Sequence, residues 1–198
     1  MSALTTEHFA LQSAASATTT EAASRTSIYL LALSSSLIAI GFASQAPNAF
    51  GPLAATVLPA VVVLGFLTLI RMVDITSEYR QYLIGIAHIR GYYRTLTPDA
   101  AQYFASVRGR WPEPTAPNPS LQLGSWIAFL TTASTMIGAI NSIVAGAAAT
   151  LLAHAWLGDA HLIVTIAIGG VAAALLLVAF FVYQRWRFQL FDRSAPPA

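Results

Sequence analysis

Few side chains in this sequence are spaced to do chemistry. His154, Asp159 and His161 are the one metal-capable set, since two imidazoles and a carboxylate can bind zinc, although a short connecting loop gathers such residues without a metal as well. His8, although it follows Glu7 in the chain, and His88 fall in no recognisable pattern with an acid and a nucleophile. The sequence has no Cys, which excludes disulfides, thiolate metal sites and thiol nucleophiles. Phosphate-binding glycine loops, zincin helices, Gly-x-Ser-x-Gly elbows and paired carboxylates are also missing. We therefore expect neither an enzyme nor a resident metal or cofactor.

The polar residues that remain sit inside long uncharged runs. Asn141 lies deep in one of them, and a side-chain amide in hydrocarbon needs a partner: an interhelical hydrogen bond, or water along a path shared with Ser34, Ser35 and Ser36. Those serines can equally bond carbonyls one turn back in their own helix. Around Asn141, the small residues Ser134, Gly138, Ser142, Gly146 and Thr150 recur every fourth position. Small residues let helix backbones approach closely in lipid, so a second helix should pack on this ridge. Thr165, Gly169 and Ala173 offer the same spacing in the next helix, and another subunit is the alternative partner. No ionisable side chain lies at mid-membrane depth, which disfavours proton-coupled transport and voltage sensing.

The elements that carry these residues follow from composition. The chain has 198 residues, 56% hydrophobic and only 9% charged, against about 25% charged in soluble domains. Its mean hydropathy is +0.64. That is the make-up of an integral membrane protein. No charge occurs from residue 26 to residue 70, room for two passes at about 20 residues each. The turn formers of Gln45-Ala-Pro-Asn-Ala-Phe-Gly-Pro52 divide the run, predicting helices over about 27–44 and 53–73, with Pro59 kinking the second. A third apolar stretch starts near Trp126 and a fourth spans 161–184. The predicted fold is all-α, with four transmembrane helices in two hairpins. Its segments are an N-terminal stretch over 1–26, a first hairpin over 27–73, a soluble stretch over 74–124, a second hairpin over 125–184 and a tail over 185–198.

Orientation follows from the basic residues, all of them arginine. Arg25 precedes the first span, Arg71 to Arg110 lie between the second and third, and Arg185, Arg187 and Arg193 follow the fourth. Basic residues near span ends stay on the cytoplasmic side, so both termini are expected there, in a multi-pass protein of the cell (inner) membrane. A cleavable signal is the competing reading of the first span, from the small residues of Ser44-Gln-Ala46, but a long, weakly basic stretch precedes it. The net charge of +2 is mild, and no nucleic-acid partner is expected.

Beyond the second span, Ile75, Tyr79, Tyr82, Ile86, Ile89, Tyr93 and Leu96 alternate spacings of four and three, a heptad seam that predicts a long cytoplasmic extension of that helix. At about 100° per residue, Arg80, Arg90 and Arg94 flank the seam on one side, Asp74 and Glu78 on the other. The seam can meet residues 1–26, the same helix of another subunit, or the headgroup surface. Of residues 1–26, the first dozen are expected to be disordered and the remainder to be a helical extension of the first span. Thr97-Pro98-Asp99 should then start a short amphipathic helix to Val107, followed by a proline-rich linker. Arg108, Arg110 and Trp111 form a candidate lipid anchor, guanidinium groups near phosphates beside an amphipathic indole.

The Ala/Ser/Thr-rich start ending in Arg25, the stretch Leu58-Pro-Ala-Val-Val-Val-Leu-Gly-Phe-Leu-Thr-Leu-Ile-Arg71, Ile89-Arg-Gly-Tyr-Tyr-Arg94 and Pro98-Asp-Ala-Ala-Gln-Tyr-Phe104 together resemble a group of uncharacterised four-helix integral membrane proteins of high-GC bacteria. That resemblance implies the four-helix topology and no activity. The first hairpin with its extension is loosely similar to two-helix membrane modules of bacterial defence effectors, a likeness of architecture that implies a pore. Three functions are compatible with these residues. They are a self-associating scaffold with a cytoplasmic protein partner, an oligomeric pore or effector, and a small transporter.

Overall fold

Among the described residues the chain forms four α-helices, α1 (Ser2–Ala43), α2 (Phe50–Thr95), α3 (Ala133–Leu157) and α4 (Leu162–Ser194), with a 3₁₀ turn, Asp159–His161, joining the last two. The computed structural model describes residues 2–46, 48–96, 99 and 132–194. The candidate anchor Arg108, Arg110 and Trp111 lies outside the described residues, as do the proline-rich linker, the start of the third span near Trp126 and, Asp99 apart, the helix expected over 98–107. Each of the four helices is long and apolar enough to cross a membrane. The protein is an all-α, integral, multi-span membrane protein.

Local chemistry sets the helix ends. After Ala43 the amides of Ser44 and Ala46 turn back onto the carbonyls of Ile40 and Ala43, each at 3.0 Å, and the Ser44 hydroxyl caps Gly41 at 2.7 Å. Pro52 falls in the first turn of α2, where its missing N–H has no intrahelical acceptor to lose. Pro59 lies inside α2 and the helix runs through it, as helices in lipid tolerate. α2 ends at Thr95, one residue before the expected stop, and α4 continues past Gln184 through Arg193 to Ser194.

Among the described residues the chain divides into two compact units, one taking residues 2–23 and the end of α2 from Asp74, the other taking Ser24–Val73 and Ala133–Leu190. In the first unit the start of α1 runs antiparallel to the end of α2: the Thr5 hydroxyl lies 3.4 Å from the Tyr93 hydroxyl, while Leu11 seats on Gly85. Gly85 has no side chain, and a Cβ there would come within 3.0 Å of Leu11 Cδ1. Ile75, Ile86 and Ile89 are buried, Tyr79, Tyr82 and Tyr93 half-buried, and Leu96 exposed. Arg90, on the flank of this stripe, is partly desolvated, which lowers its pKa from the ordinary arginine value.

The first dozen residues depart from the expected disorder, because α1 begins at Ser2. Serine and threonine are weak helix formers, in part because their hydroxyls compete for backbone groups. Here those hydroxyls bond back onto their own helix, Thr6 to the Ser2 carbonyl at 3.1 Å, Thr18 to Ala15 at 2.7 Å and Thr20 to Ser16 at 3.1 Å. Packing on α2 supplies what propensity lacks.

The α3–α4 connection turns at Gly158, whose φ of 69° and ψ of −179° belong to a region open only to glycine. Its amide still reaches the His154 carbonyl at 2.9 Å, closing α3. Replacing Gly158 by Ala is expected to cost about 1–3 kcal/mol, read as a lowered unfolding midpoint in mixed micelles. An unchanged midpoint would show that the turn relaxes without strain.

Candidate functional site

The second unit is built inside out relative to a soluble protein. Leu31, Phe42, Ile143, Trp156, Ile163 and Leu175 are exposed, whereas Ser134, Thr135, Asn141, Ser142, Thr165 and Gln184 are buried. A surface this apolar is what a helix bundle presents to lipid, and its buried faces carry the small and polar residues that let helices meet.

At its centre Asn141 joins three helices. Its Nδ2 donates to the Val62 carbonyl of α2 at 3.3 Å, and its Oδ1 accepts from the Tyr29 hydroxyl of α1 at 3.4 Å. This pattern fixes the amide orientation, because a carbonyl can be met only by the NH₂ end. Asn141 is 7% exposed and Tyr29 fully buried. Gly65, one turn along α2 from Val62, makes the approach possible. A Cβ there would overlap the Asn141 carboxamide and come within 2.9 Å of Tyr29 Cε2.

The regular small-residue ridge of α3 meets α4. A Cβ on Gly138 would lie 2.7 Å from the Phe180 ring, one on Gly146 would lie 2.7 Å from the Gly169 carbonyl oxygen and 2.8 Å from Ala173 Cβ, and one on Gly169 would overlap Thr150 Oγ1. α4 of the same chain thus occupies much of the ridge that a second subunit would need. The ridge hydroxyls bond within their own helix, Ser142 to the Gly138 carbonyl at 2.8 Å and Thr150 to Gly146 at 3.0 Å. Thr165 does the same to Leu162 at 2.8 Å.

Ser34 and Ser35 are exposed and Ser36 is half-buried, while the Asn141 amide bonds Tyr29 and Val62 rather than these serines. His154 lines a small cavity of about 280 Å³ with Phe50, Pro59 and Leu151. Among the described residues no group of three His, Asp or Glu side chains is gathered to hold a metal. A larger cleft of about 470 Å³ lies between α2, α3 and α4, lined by Val62, Phe66, Ile70, Asn141, Ala179 and Tyr183 among others.

Two residues escape a reading by sequence. Tyr29 is the phenol that Asn141 requires, but nothing in a linear pattern pairs positions 112 apart. Gln184 is completely buried with both amide atoms unpartnered among the described residues. The sequence does carry a signal for it: Gln184 continues the stripe Thr165, Gly169, Ala173 and Phe180 by which α4 packs.

Two variants test the junction. Tyr29→Phe combined with Asn141→Leu in a double-mutant cycle should give a coupling of about 0.6 kcal/mol, and at most about 1.7. Gly65→Val should destabilise by about 1–3 kcal/mol through overpacking. Both are read from unfolding in mixed micelles, and a neutral Gly65→Val would contradict the close approach of α2 and α3. Comparison of the chain with protein-family models, curated proteins and solved structures finds no match.

Proposed function

We propose that this membrane protein is a non-enzymatic, self-associating scaffold. In this reading two membrane hairpins anchor it, both termini face the cytoplasm, and the paired ends of α1 and α2 form a cytoplasmic helical arm that a second copy engages. One observation carries the proposal. α1 has 42 residues and α2 has 46, each about twice the 20 or so that span a bilayer. The surplus turns are packed on one another through Thr5, Leu11, Gly85 and Tyr93. A folded arm of that length contributes nothing to anchoring, and presenting a surface is what it is suited for.

The arm also exposes apolar side chains that its own packing leaves uncovered. Phe9 is 64% exposed, Tyr92 49% and Leu96 38%. The pore and transporter readings draw instead on Asn141 and the serines Ser34, Ser35 and Ser36. Both ends of the Asn141 amide are bonded inside the chain, and so the scaffold is the function the geometry supports best.

The test must spare the buried seam, since Ile86 is 5% exposed and Ile86→Asp would unfold the arm itself. Phe9→Asp with Tyr92→Asp changes the arm's surface only. Native mass spectrometry from nanodiscs should show an oligomer for the parent chain and a monomer for the double variant, with helix content by circular dichroism unchanged. A parent chain that is monomeric at all concentrations, or an oligomer indifferent to the substitutions, would refute self-association through the arm.

A further inference from the structure

We infer that Trp156 and Trp186 are lipid-interface anchors, one indole in the headgroup layer of each leaflet, with the hydrocarbon core of the bilayer between their levels. The inference holds whether or not the chain self-associates, and whichever leaflet faces the cytoplasm.

Both rings stand in the open at the ends of apolar spans. Trp156 is 89% exposed, one residue before the end of α3, and Trp186 is 53% exposed on α4. An indole joins a large apolar body to a single N–H donor. It is at home where one side is hydrocarbon and the other offers ester and phosphate oxygens. The Tyr183 ring, 6.4 Å from that of Trp186, brings a phenol of the same double character one turn nearer the core.

The helix register gives the two levels. α2 and α4 are each antiparallel to α3: Gly65 lies at Asn141 and Pro59 shares a cavity with Ala148, while Gly138 lies at Phe180 and Gly146 at Gly169. Continued to the end of α3, this register sets Trp156 level with Leu162 and Phe50, the first residues of α4 and α2. α1 stops at Ala43, shortly before Phe50. From Leu162 to Trp186 an α-helix rises about 36 Å at about 1.5 Å per residue. The hydrocarbon core is about 30 Å thick, and about 40–45 Å with its headgroup regions. Centred on the bilayer, the two rings fall beyond the hydrocarbon and short of bulk water.

The charges stop and start at the same heights. Val63 and Leu176 line one cleft, as do Ile70 and Tyr183, so Trp186 is level with Val73, where the second unit ends on α2. Asp, Glu, His and Arg are missing from α2 between Phe50 and Ile70, from α3 between Ala133 and Ala153, and from α4 between Leu162 and Gln184. They resume with Arg71 and Asp74 on α2 and with Arg185 on α4, within a turn of the Trp186 level, where a guanidinium snorkels into the headgroups. Exposed indoles, helix register and the limits of charge therefore mark one slab.

The experiment is depth-resolved fluorescence quenching of the whole chain in phosphatidylcholine vesicles. The sequence has four tryptophans, and replacing all but Trp156, or all but Trp186, by Phe leaves one emitter in each protein. A phosphatidylcholine brominated near the headgroup should quench both more strongly than one brominated near the chain ends. Leu152→Trp, at a position 58% exposed and about 6 Å nearer the core, in a chain with no other tryptophan, should be quenched most by a deeper bromine. Equal depths for Trp156 and Leu152→Trp would overturn the register. A native tryptophan quenched most by the chain-end bromine lies in the core, one quenched by aqueous iodide alone lies in water, and one quenched by neither lies under protein; each result would overturn its assignment. If circular dichroism shows that the multiple substitutions disturb folding, the parent chain labelled with fluorotryptophan and assigned by Trp156→Phe and Trp186→Phe singly gives the same comparison, by fluorine NMR with lipid-borne and aqueous paramagnets.

Discussion

Everything in the membrane unit depends on how closely its helix backbones approach. Gly65, Gly138, Gly146 and Gly169 each face another helix at a separation no Cβ would tolerate. In lipid the hydrophobic effect does not hold helices together, and their association rests on contact and on hydrogen bonds formed at short range. At ordinary helix spacing Asn141 could not reach the Val62 carbonyl, nor could Tyr29 close the other side of the amide. The glycines therefore permit the polar junction, and the junction in turn fixes which faces of α1, α2 and α3 look inward. The cleft between α2, α3 and α4 adjoins that same contact.

The two units bury different chemistry. In the first, Leu11 on Gly85 and the buried Ile75, Ile86 and Ile89 make a two-helix seam of apolar side chains. In the second the buried set is rich in hydroxyls and amides. Ser142, Thr150 and Thr165 satisfy theirs one turn back in their own helices. Those groups add little adhesion, and their value is to be small and already satisfied.

Much of this was legible in the residues and some could not have been. The charge-free run across residues 26–70 and the turn formers around Asn48 located the first two membrane crossings, since hydrocarbon excludes charge. The ridge from Ser134 to Thr150 announced a close helix contact, and its partner in the Thr165, Gly169 and Ala173 register followed from matching periods. The helical start of α1 was hidden, because serine and threonine report weak local propensity and not the docking surface on α2 that overrides it. The pairing of Asn141 with Tyr29 was hidden for another reason: an amide shows that it needs a partner without showing which one. Gln184 was overlooked as a polar residue near a span end, the usual place for one, and its burial depends on the neighbouring helices.

The separation between Asn141 and its partners also has a meaning in time. The Val62 carbonyl precedes Asn141 by 79 residues and Tyr29 precedes it by 112. At a synthesis rate of about 5–20 residues per second, Val62 is made roughly 4–16 s, and Tyr29 roughly 6–22 s, before Asn141. Both groups that Asn141 bonds are already in the chain when Asn141 is added. The order of translation thus makes α3 the guest and the first pair of helices the host.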